Sequence, residues 1–461
     1  MSANEPAVLT EGNPAKRIIF FALPLFAGEL LHISYTMIDA FVVGRWVGIN
    51  GLAAVGASYN LICFVWGFIF GLTGGFAVIL TQRIGAAGIG AVNSGTGNEK
   101  GIKKSAATGL FLSFTVSVIA VIILLPLTPY ILSLINTPPE IMKDAVSYAV
   151  ITFSGTVIFM LSNMFASIIY AAGDSVNPLI FFTVGTVCNI IFDILFVAVF
   201  SWGVPGAAAA TVLSQLISAI ITLNFLLKRF RNILPARQDW RMEWKEIKIH
   251  LSLGLAMGFQ RCIVEFGNIL IQAAINSLGA VTIAAVSAAQ RIRGLNMMPV
   301  FALSRAVTTY TAQNYGAGKM DRVYSGLFQS CLIALGLGAF MAVLNQFTGR
   351  PIVSLFLKDN SQALELASQY ILITGYTVFL LGIMLVFRST LQGLGKKSAP
   401  ILCSIMETAM SIFAAFALIP ALGFLGVCLV NPLSWLASGT PLFIAFALFK
   451  RQNRKAVSEL N

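Results

Sequence analysis

The chain has 461 residues, of which 57% are hydrophobic and only 10% are charged, and its mean hydropathy is +0.85. Soluble globular proteins carry about 25% charged residues, so this composition excludes a soluble fold and requires lipid as the solvent for much of the chain. The apolar runs are about 20 residues or longer, which favours helices over the short alternating strands of a membrane barrel.

Twelve such runs follow one another along the chain, and each predicts a membrane-spanning helix. They lie at about 17–43, 52–82, 105–128, 143–172, 177–200, 205–228, 248–279, 282–314, 324–347, 363–393, 399–420 and 424–449. The first run is too long for the core of a signal peptide, so we expect a retained first helix. The six cysteines all lie inside these runs without metal-ligand spacing, which predicts buried free thiols and neither disulfides nor a zinc site.

The Lys and Arg residues lie mainly in alternate loops. One set of loops holds 21 of the 30 and the other set holds four, while five fall within helices. This asymmetry predicts a multi-pass protein of the cell (inner) membrane with both termini in the cytoplasm. It also accounts for the formal charge of +12 without a nucleic-acid partner.

The two halves of the chain resemble each other. Four segments of the first half recur in unbroken order, with offsets of 231, 231, 222 and 220 residues: 51–56 at 282–287, 82–86 at 313–317, 165–173 at 387–395 and 203–206 at 423–426. Because the repeat spans six helices, an even number, the two halves run parallel about an axis along the membrane normal. We therefore expect an all-α fold with an amino-terminal lobe (1–230), a cytoplasmic linker (231–248) and a carboxy-terminal lobe (249–461) around a central cleft.

Five acidic residues lie inside the apolar runs, where a charge costs about 2.5–3.5 kcal/mol on insertion scales. They are Glu29, Asp39, Asp193, Glu265 and Glu407. Each of them needs a partner or a water-filled cavity. In the first helix Glu29, His32, Thr36 and Asp39 fall within an arc of about 80°, so this stripe faces either a cavity or neighbouring helices.

Oxygen-bearing side chains also occur in the fifth and sixth helices. Asn189 and Asp193 are one turn apart on the fifth helix, and Thr211 stands among alanines on the sixth. Together with Asp39 they would supply two carboxylates, an amide oxygen and a hydroxyl, a set suited to Na⁺ or to protons. Two nearby carboxylates in a low dielectric cannot both stay charged without a cation.

The carboxy-terminal half has its own polar positions. The seventh helix carries Arg261, Glu265, Asn268 and Gln272 within an arc of about 60°, so Arg261 and Glu265 either pair with each other or face a cavity. Glu407 has serines near its face, and both a structural and a functional role stay open for it. Arg388 is expected to extend towards the cytoplasmic interface.

No Walker loop, zinc-protease motif or nucleophile elbow occurs in the sequence, and the longest loop is about 20 residues, too short for a nucleotide-binding domain. We therefore expect a transporter without a cofactor, driven by an ion gradient, and not an enzyme. A wall of phenylalanine and methionine side chains would suit small organic substrates.

These segments resemble the multidrug and toxic compound extrusion (MATE) family over nearly the whole chain. The stretch from Tyr35 through Asp39 to Gly44 is similar to the family's first helix, and Asn189-x-x-x-Asp193 with Thr211 is similar to the amino-lobe cation site of the DinF-like branch. Glu265 is similar to a carboxy-lobe acid of the NorM-like branch, but Leu381 stands where that branch has a second aspartate.

The resemblance implies an antiporter that exchanges H⁺ or Na⁺ for a small organic compound, often cationic or amphipathic. The two halves of the chain favour a transporter that functions as a monomer. The resemblance also implies a coupling site of Asp39, Asn189, Asp193 and Thr211, and a surrounding cavity. The cavity positions are Glu29, His32, Tyr35, Thr36, Arg261, Glu265, Asn268, Gln272 and Glu407. The alternative is a flippase for lipid-linked precursors of the same superfamily. The stretch 87–97, rich in glycine and alanine, has no predicted role.

Overall fold

The computed structural model describes residues 9–88, 99–355, 357 and 360–458, so most of the 87–97 stretch lies outside the described residues. These residues form helices and turns and contain no strand. The principal helices are α1 (Pro14–Trp46), α2 (Ile49–Ala87), α3 (Glu99–Leu134), α4 (Pro139–Ser154), α5 (Thr156–Ala171), α6 (Val176–Asp193), α7 (Gly203–Arg229), α8 (Trp244–Asn276), α9 (Ala280–Gly316), α10 (Met320–Ser354), α11 (Ser361–Gly393), α12 (Ser398–Phe413) and α13 (Phe424–Ser458).

Each of the twelve predicted runs corresponds to one helical span, which confirms the predicted fold class. Helices α4 and α5 form a single span bent by 45° at Gly155. Helix α6 continues as a π-helical segment, Ile194–Val199, and α12 continues through the π-helical segment Ala414–Leu418. Within the described ranges, nine helical spans are long and apolar enough to cross a membrane, or ten with the bent pair.

Helices α8 and α9 are the two spans outside that count. They have 33 and 37 residues, enough to cross a bilayer. Their mean hydropathy is lower because they carry charged residues within the span, including Arg261 and Glu265 on α8 and Arg293 on α9. The sequence prediction of twelve spans holds because it used length together with the breaks between runs.

The described chain forms two compact units. One contains Leu23–Gly258, and the other contains Leu9–Ala22 together with Phe259 and the remaining described residues. The boundaries therefore fall inside α1 and inside α8, and not in the linker between α7 and α8. Helix α8 begins in the first unit and ends in the second.

Polar contacts fix the start of α8 to α2 and α3 within the first unit. The Arg83 guanidinium donates to both carboxylate oxygens of Glu246, at 2.9 and 2.8 Å, and to the carbonyl oxygen of Gly101 at 2.8 Å. The fully buried His250 ring lies with Nε2 2.7 Å from the Ser105 hydroxyl. Sequence patterns did not predict these contacts, because they join residues far apart in the chain.

The segment before α1 packs within the second unit. Arg322 donates to the carbonyl oxygens of Gly12 and Leu9, at 2.7 and 3.1 Å. Ala15 N–H donates to Gln329 Oε1 at 2.7 Å, and Leu9 is fully buried. This segment is therefore an integral part of that unit.

The buried cores of the two units repeat with the offsets found in the sequence. Val55 and Val286 are both buried, as are Ala145 and Ala367. The two π-helical segments start 220 positions apart, at Ile194 and Ala414. The internal repeat is thus present in the packing as well as in the sequence.

All six cysteines are free, but the prediction that they are buried holds only for Cys403 and Cys428. Cys63 is exposed, and the other three are half-buried. The reason is that an apolar membrane helix also presents side chains to lipid, so a position in an apolar run does not fix burial within the protein. Trp240 and Trp244, near the linker, are 47% and 73% exposed, in keeping with an interfacial position.

Candidate cation site

The four predicted coupling residues are buried in the first unit on three different helices. Asp39 lies in α1, Asn189 and Asp193 in α6, and Thr211 in α7. Their side chains are between 0% and 6% exposed. The two carboxylates lie near enough for their charges to interact, so the fold brings α1 and α6 together as the resemblance implied.

Local structure places each of these groups. Asp193 is the last residue of α6 before the π-helical segment begins. A π-helical turn inserts one extra residue per turn and occurs often at functional sites. On α7, three of the four alanines before Thr211 are buried, and these small side chains allow close helix packing.

The polar atoms of this cluster are not satisfied by the protein. Six side-chain atoms have no hydrogen-bond partner among the described residues: Asp39 Oδ1, Asn189 Oδ1 and Nδ2, Asp193 Oδ1 and Oδ2, and Thr211 Oγ1. Buried polar groups in folded proteins are nearly always paired, and leaving one unpaired costs about 1–3 kcal/mol. Five of the six atoms are oxygens, so the cluster fits a cation or transferable protons.

Tyrosines border the cluster. Tyr148 is buried on α4 beside Asp39. The Tyr35 hydroxyl lies beside Thr211. Sequence reasoning missed Tyr148, although its place in the repeat was a usable signal, since Tyr370 follows it by 222 positions.

A small pocket adjoins the cluster in the same unit. It is lined by Tyr35, Phe182, Gly185, Thr186, Asn189, Ser214, Gln215 and Ser218. Asn189 thus belongs to both the buried cluster and the pocket wall. His32 lies beside this pocket, with its ring centroid 5.7 Å from that of Tyr35 and 6.2 Å from that of Phe182.

The other cavity positions predicted on α1 are less directly involved. Thr36 donates its hydroxyl hydrogen bond to the carbonyl oxygen of Ile33 at 2.8 Å, within its own helix. Glu29 is half-buried on the same helix. Asp39 is therefore the member of the predicted polar stripe of α1 that belongs to the cluster, and the stripe as a whole does not.

The predicted positions on α8 lie in the second unit, and all four side chains are exposed. The hydrogen bond given to Glu265 comes from Asn268 at 3.2 Å, and Gln272 donates to Asn276 at 2.9 Å. The structure therefore does not bring these residues into the cluster of Asp39 and Asp193.

Glu407 on α12 has a fixed basic partner. Arg388 donates to its carboxylate at 2.9 Å and also lies 3.0 Å from the Cys403 sulfur. The two side chains are only 15% and 16% exposed. The expectation that Arg388 extends to the interface is therefore wrong, because a buried carboxylate one helix away holds the guanidinium inside.

Comparison with known proteins places this geometry in context. A model of the MatE family matches residues 24–195 and 256–441. The chain is 26% identical to the probable multidrug resistance protein YpnP of Bacillus subtilis (strain 168), and the match covers 98% of both chains. It is 25% identical to the probable multidrug resistance protein YoeA of the same organism, and that match covers 86% of this chain and 83% of YoeA. Among solved structures, an outward-facing multidrug resistance MATE family transporter of the MOP superfamily matches 99% of both chains with a TM-score of 0.85 and 20% identity.

Proposed function

Because this chain belongs to the MatE family, a family of membrane transporters and not of enzymes, we propose that it is a secondary antiporter. It exports small organic compounds, cationic or amphipathic in character, in exchange for H⁺ or Na⁺. Relatives named as probable multidrug resistance proteins, one of them matched over 98% of this chain and the other over 86%, support the export of organic compounds. No cofactor takes part, and one chain carries out the cycle.

One observation carries the coupling part of the proposal, namely the two buried carboxylates of Asp39 and Asp193 with unpaired oxygens around them. Two like charges at this depth are mutually destabilising, and a cation or a proton removes the repulsion. Asn189 and Thr211 supply neutral oxygens, which are the usual additional ligands of a hard cation. The cluster thus changes charge when the coupling ion arrives or leaves.

The change of charge acts on α1. Asp39 is buried on this helix, and Tyr148 lies beside it. Loading the site changes the charge at Asp39 and the packing of α1 beside Tyr35, which lines the adjacent pocket. A substrate in the pocket and an ion in the cluster therefore compete through a shared helix, which is the requirement for exchange.

The test is dye transport in everted membrane vesicles, driven separately by a pH gradient and by a Na⁺ gradient. Wild-type protein accumulates a cationic aromatic dye such as ethidium under one of these gradients. Asp39→Asn and Asp193→Asn lower the gradient-driven rate by about tenfold or more, since each removes a charge that the ion must neutralise.

The matched control is Glu140→Gln, which removes an exposed carboxylate at the start of α4 in the same unit. It leaves the rate unchanged. Gradient-driven accumulation that persists in both aspartate variants at normal expression would contradict the proposal.

A further inference from the structure

The second unit contains a counterpart of the cation cluster with different chemistry. By the repeat offsets, Tyr370 on α11 corresponds to Tyr148, and Asn431 on α13 corresponds to Thr211. Both tyrosines are buried, at 2% and 8% exposure. The Asn431 amide donates to the Tyr370 hydroxyl oxygen at 3.2 Å, so two members of the counterpart are in contact.

The two carboxylates have no equivalent there. Leu270 and Phe413 occupy the positions that correspond to Asp39 and Asp193, at offsets of 231 and 220. A basic residue has been added instead, because Arg293 on α9 corresponds to the buried Ile62 on α2. The second unit therefore lacks the two carboxylates and carries one guanidinium on another helix of the repeat.

Arg293 has few partners. Its Nη1 donates to the Tyr370 hydroxyl at 3.0 Å, and in the described part of the chain no carboxylate forms an ion pair with it. A guanidinium has five N–H donors, so most of them remain available. The two intramembrane acids of this unit already have hydrogen-bond donors, Asn268 for Glu265 and Arg388 for Glu407.

The position of Arg293 along its helix makes this arrangement costly. Thirteen residues separate it from Ala280 and 23 from Gly316, which is about 20 and 35 Å along α9. A hydrocarbon layer of about 30 Å centred on α9 would enclose it. An arginine within that layer is destabilising unless a counter-charge or water compensates.

The surroundings are rich in donors. The Tyr370 oxygen accepts from both Arg293 and Asn431, so it offers its own proton to a further acceptor. One turn along α9, Asn296 donates to Asn345 at 3.0 Å, and the buried Asn345 Nδ2 has no acceptor among the described residues. Donors without acceptors around a guanidinium are the chemistry that binds carboxylate or phosphate groups.

We propose that the second unit carries an anion site centred on Arg293, with Tyr370 and Asn431, at the position that repeats the cation cluster of the first unit. The site takes a carboxylate or phosphate group, either as part of a transported compound or as a free anion. It stands independently of the proposed ion coupling, since it uses none of the coupling residues.

The test is the thermal unfolding midpoint of the purified full-length protein in detergent, with sodium benzoate or sodium phosphate titrated at constant Na⁺ and ionic strength. Wild-type protein shows a saturable rise of the midpoint with at least one of the two anions. Arg293→Gln weakens the apparent affinity by about tenfold or more, the effect of losing hydrogen bonds from a charged group. Arg293→Lys, which keeps the charge, weakens it less.

Arg45→Gln is the control, because Arg45 is an exposed arginine near the end of α1, and its titration matches wild type. The absence of any saturable rise in the wild-type protein overturns the proposal, and so does an unchanged affinity in Arg293→Gln. The wild-type titration is decisive even if a variant fails to fold.

A transport assay identifies the source of the anionic group. The first case is that the anionic group belongs to the transported compound. In everted vesicles, Arg293→Gln then lowers the uptake of carboxyfluorescein about tenfold and the uptake of ethidium by less than about twofold. Loss of benzoate binding with both uptakes unchanged assigns the site to a free anion. Unchanged benzoate binding with equal loss of both dyes contradicts an anion site.

Discussion

At the scale of single residues, the acids inside the membrane differ in whether the protein itself neutralises them. Glu407 is held by Arg388 at 2.9 Å. Asp39 and Asp193 have carboxylate oxygens with no hydrogen-bond partner among the described residues. Because Glu407 already pairs with a fixed guanidinium, it is not available to bind a mobile cation. Glu407 is therefore a structural acid, whereas Asp39 and Asp193 are the two that we propose for coupling.

The ion pair between Arg388 and Glu407 gives a first prediction. Arg388→Met leaves a buried carboxylate without its cation and lowers the free energy of unfolding by about 3 kcal/mol, as expected when one member of a buried pair is removed. The measurement is the thermal midpoint of the purified protein. The double variant Arg388→Met with Glu407→Leu recovers most of the loss, because no charge remains buried. Equal loss in the single and double variants would contradict this interpretation.

Sequence patterns predicted part of this residue-level chemistry. They singled out Asp39, Asn189, Asp193 and Thr211, because polar residues in membrane-spanning runs are costly unless a partner or a cavity compensates. They did not show that Glu407 had found a partner, since Arg388 lies 19 positions away on another helix and helix periodicity says nothing about contacts between helices.

At the scale of helices, α2 and α8 approach more closely than side chains would allow. Gly71 and Gly75 on α2 face Gly254 and Gly258 on α8, and both pairs have the four-residue spacing of small residues at membrane helix interfaces. A Cβ atom added to Gly75 would lie 2.6 Å from the Cα atom of Gly254. This contact fixes the amino-terminal part of α8 in the first unit, together with the ion pair of Arg83 and Glu246.

Gly75→Val is therefore expected to force the two helices apart. The expected loss is about 1–3 kcal/mol in the free energy of unfolding, the usual range for overpacking. Thermal unfolding in detergent measures it, and Gly56→Val is the matched control, since a Cβ atom at Gly56 on the same helix meets nothing within 4 Å. Equal midpoints for the two variants would show that α2 and α8 are not in contact at these glycines.

The sequence predicted the existence and order of the helical spans better than their shape. Length and breaks between apolar runs are local properties, so twelve spans could be counted. The 45° bend at Gly155 and the π-helical segments after Asp193 and Phe413 depend on packing between helices, and no local pattern marked them.

At the scale of the whole molecule, the repeat explains a feature that sequence reasoning left without a role. The end of α2 at Ala87 and the start of α3 at Glu99 are 12 positions apart, whereas Gly316 and Met320, the equivalent ends of α9 and α10, are four apart. This difference of eight positions accounts for most of the change in offset from 231 to 222. The first repeat is therefore longer in sequence between these two helices, and the helices on both sides keep their correspondence.

The asymmetry of the basic residues gives the last prediction, which concerns orientation in the membrane. Because cytoplasmic loops retain Lys and Arg, both termini and the linker at 231–248 are expected in the cytoplasm. Alkaline phosphatase is active only outside the cytoplasm, so a fusion after Asn461 is inactive, while the same fusion after Asn136, between α3 and α4, is active. A green fluorescent protein fusion at each position is the control and gives the opposite pattern. Phosphatase activity at the carboxy terminus would mean an inverted orientation or an odd number of spans. Either result would contradict the predicted cytoplasmic carboxy terminus, and an odd number would also contradict two parallel six-helix repeats.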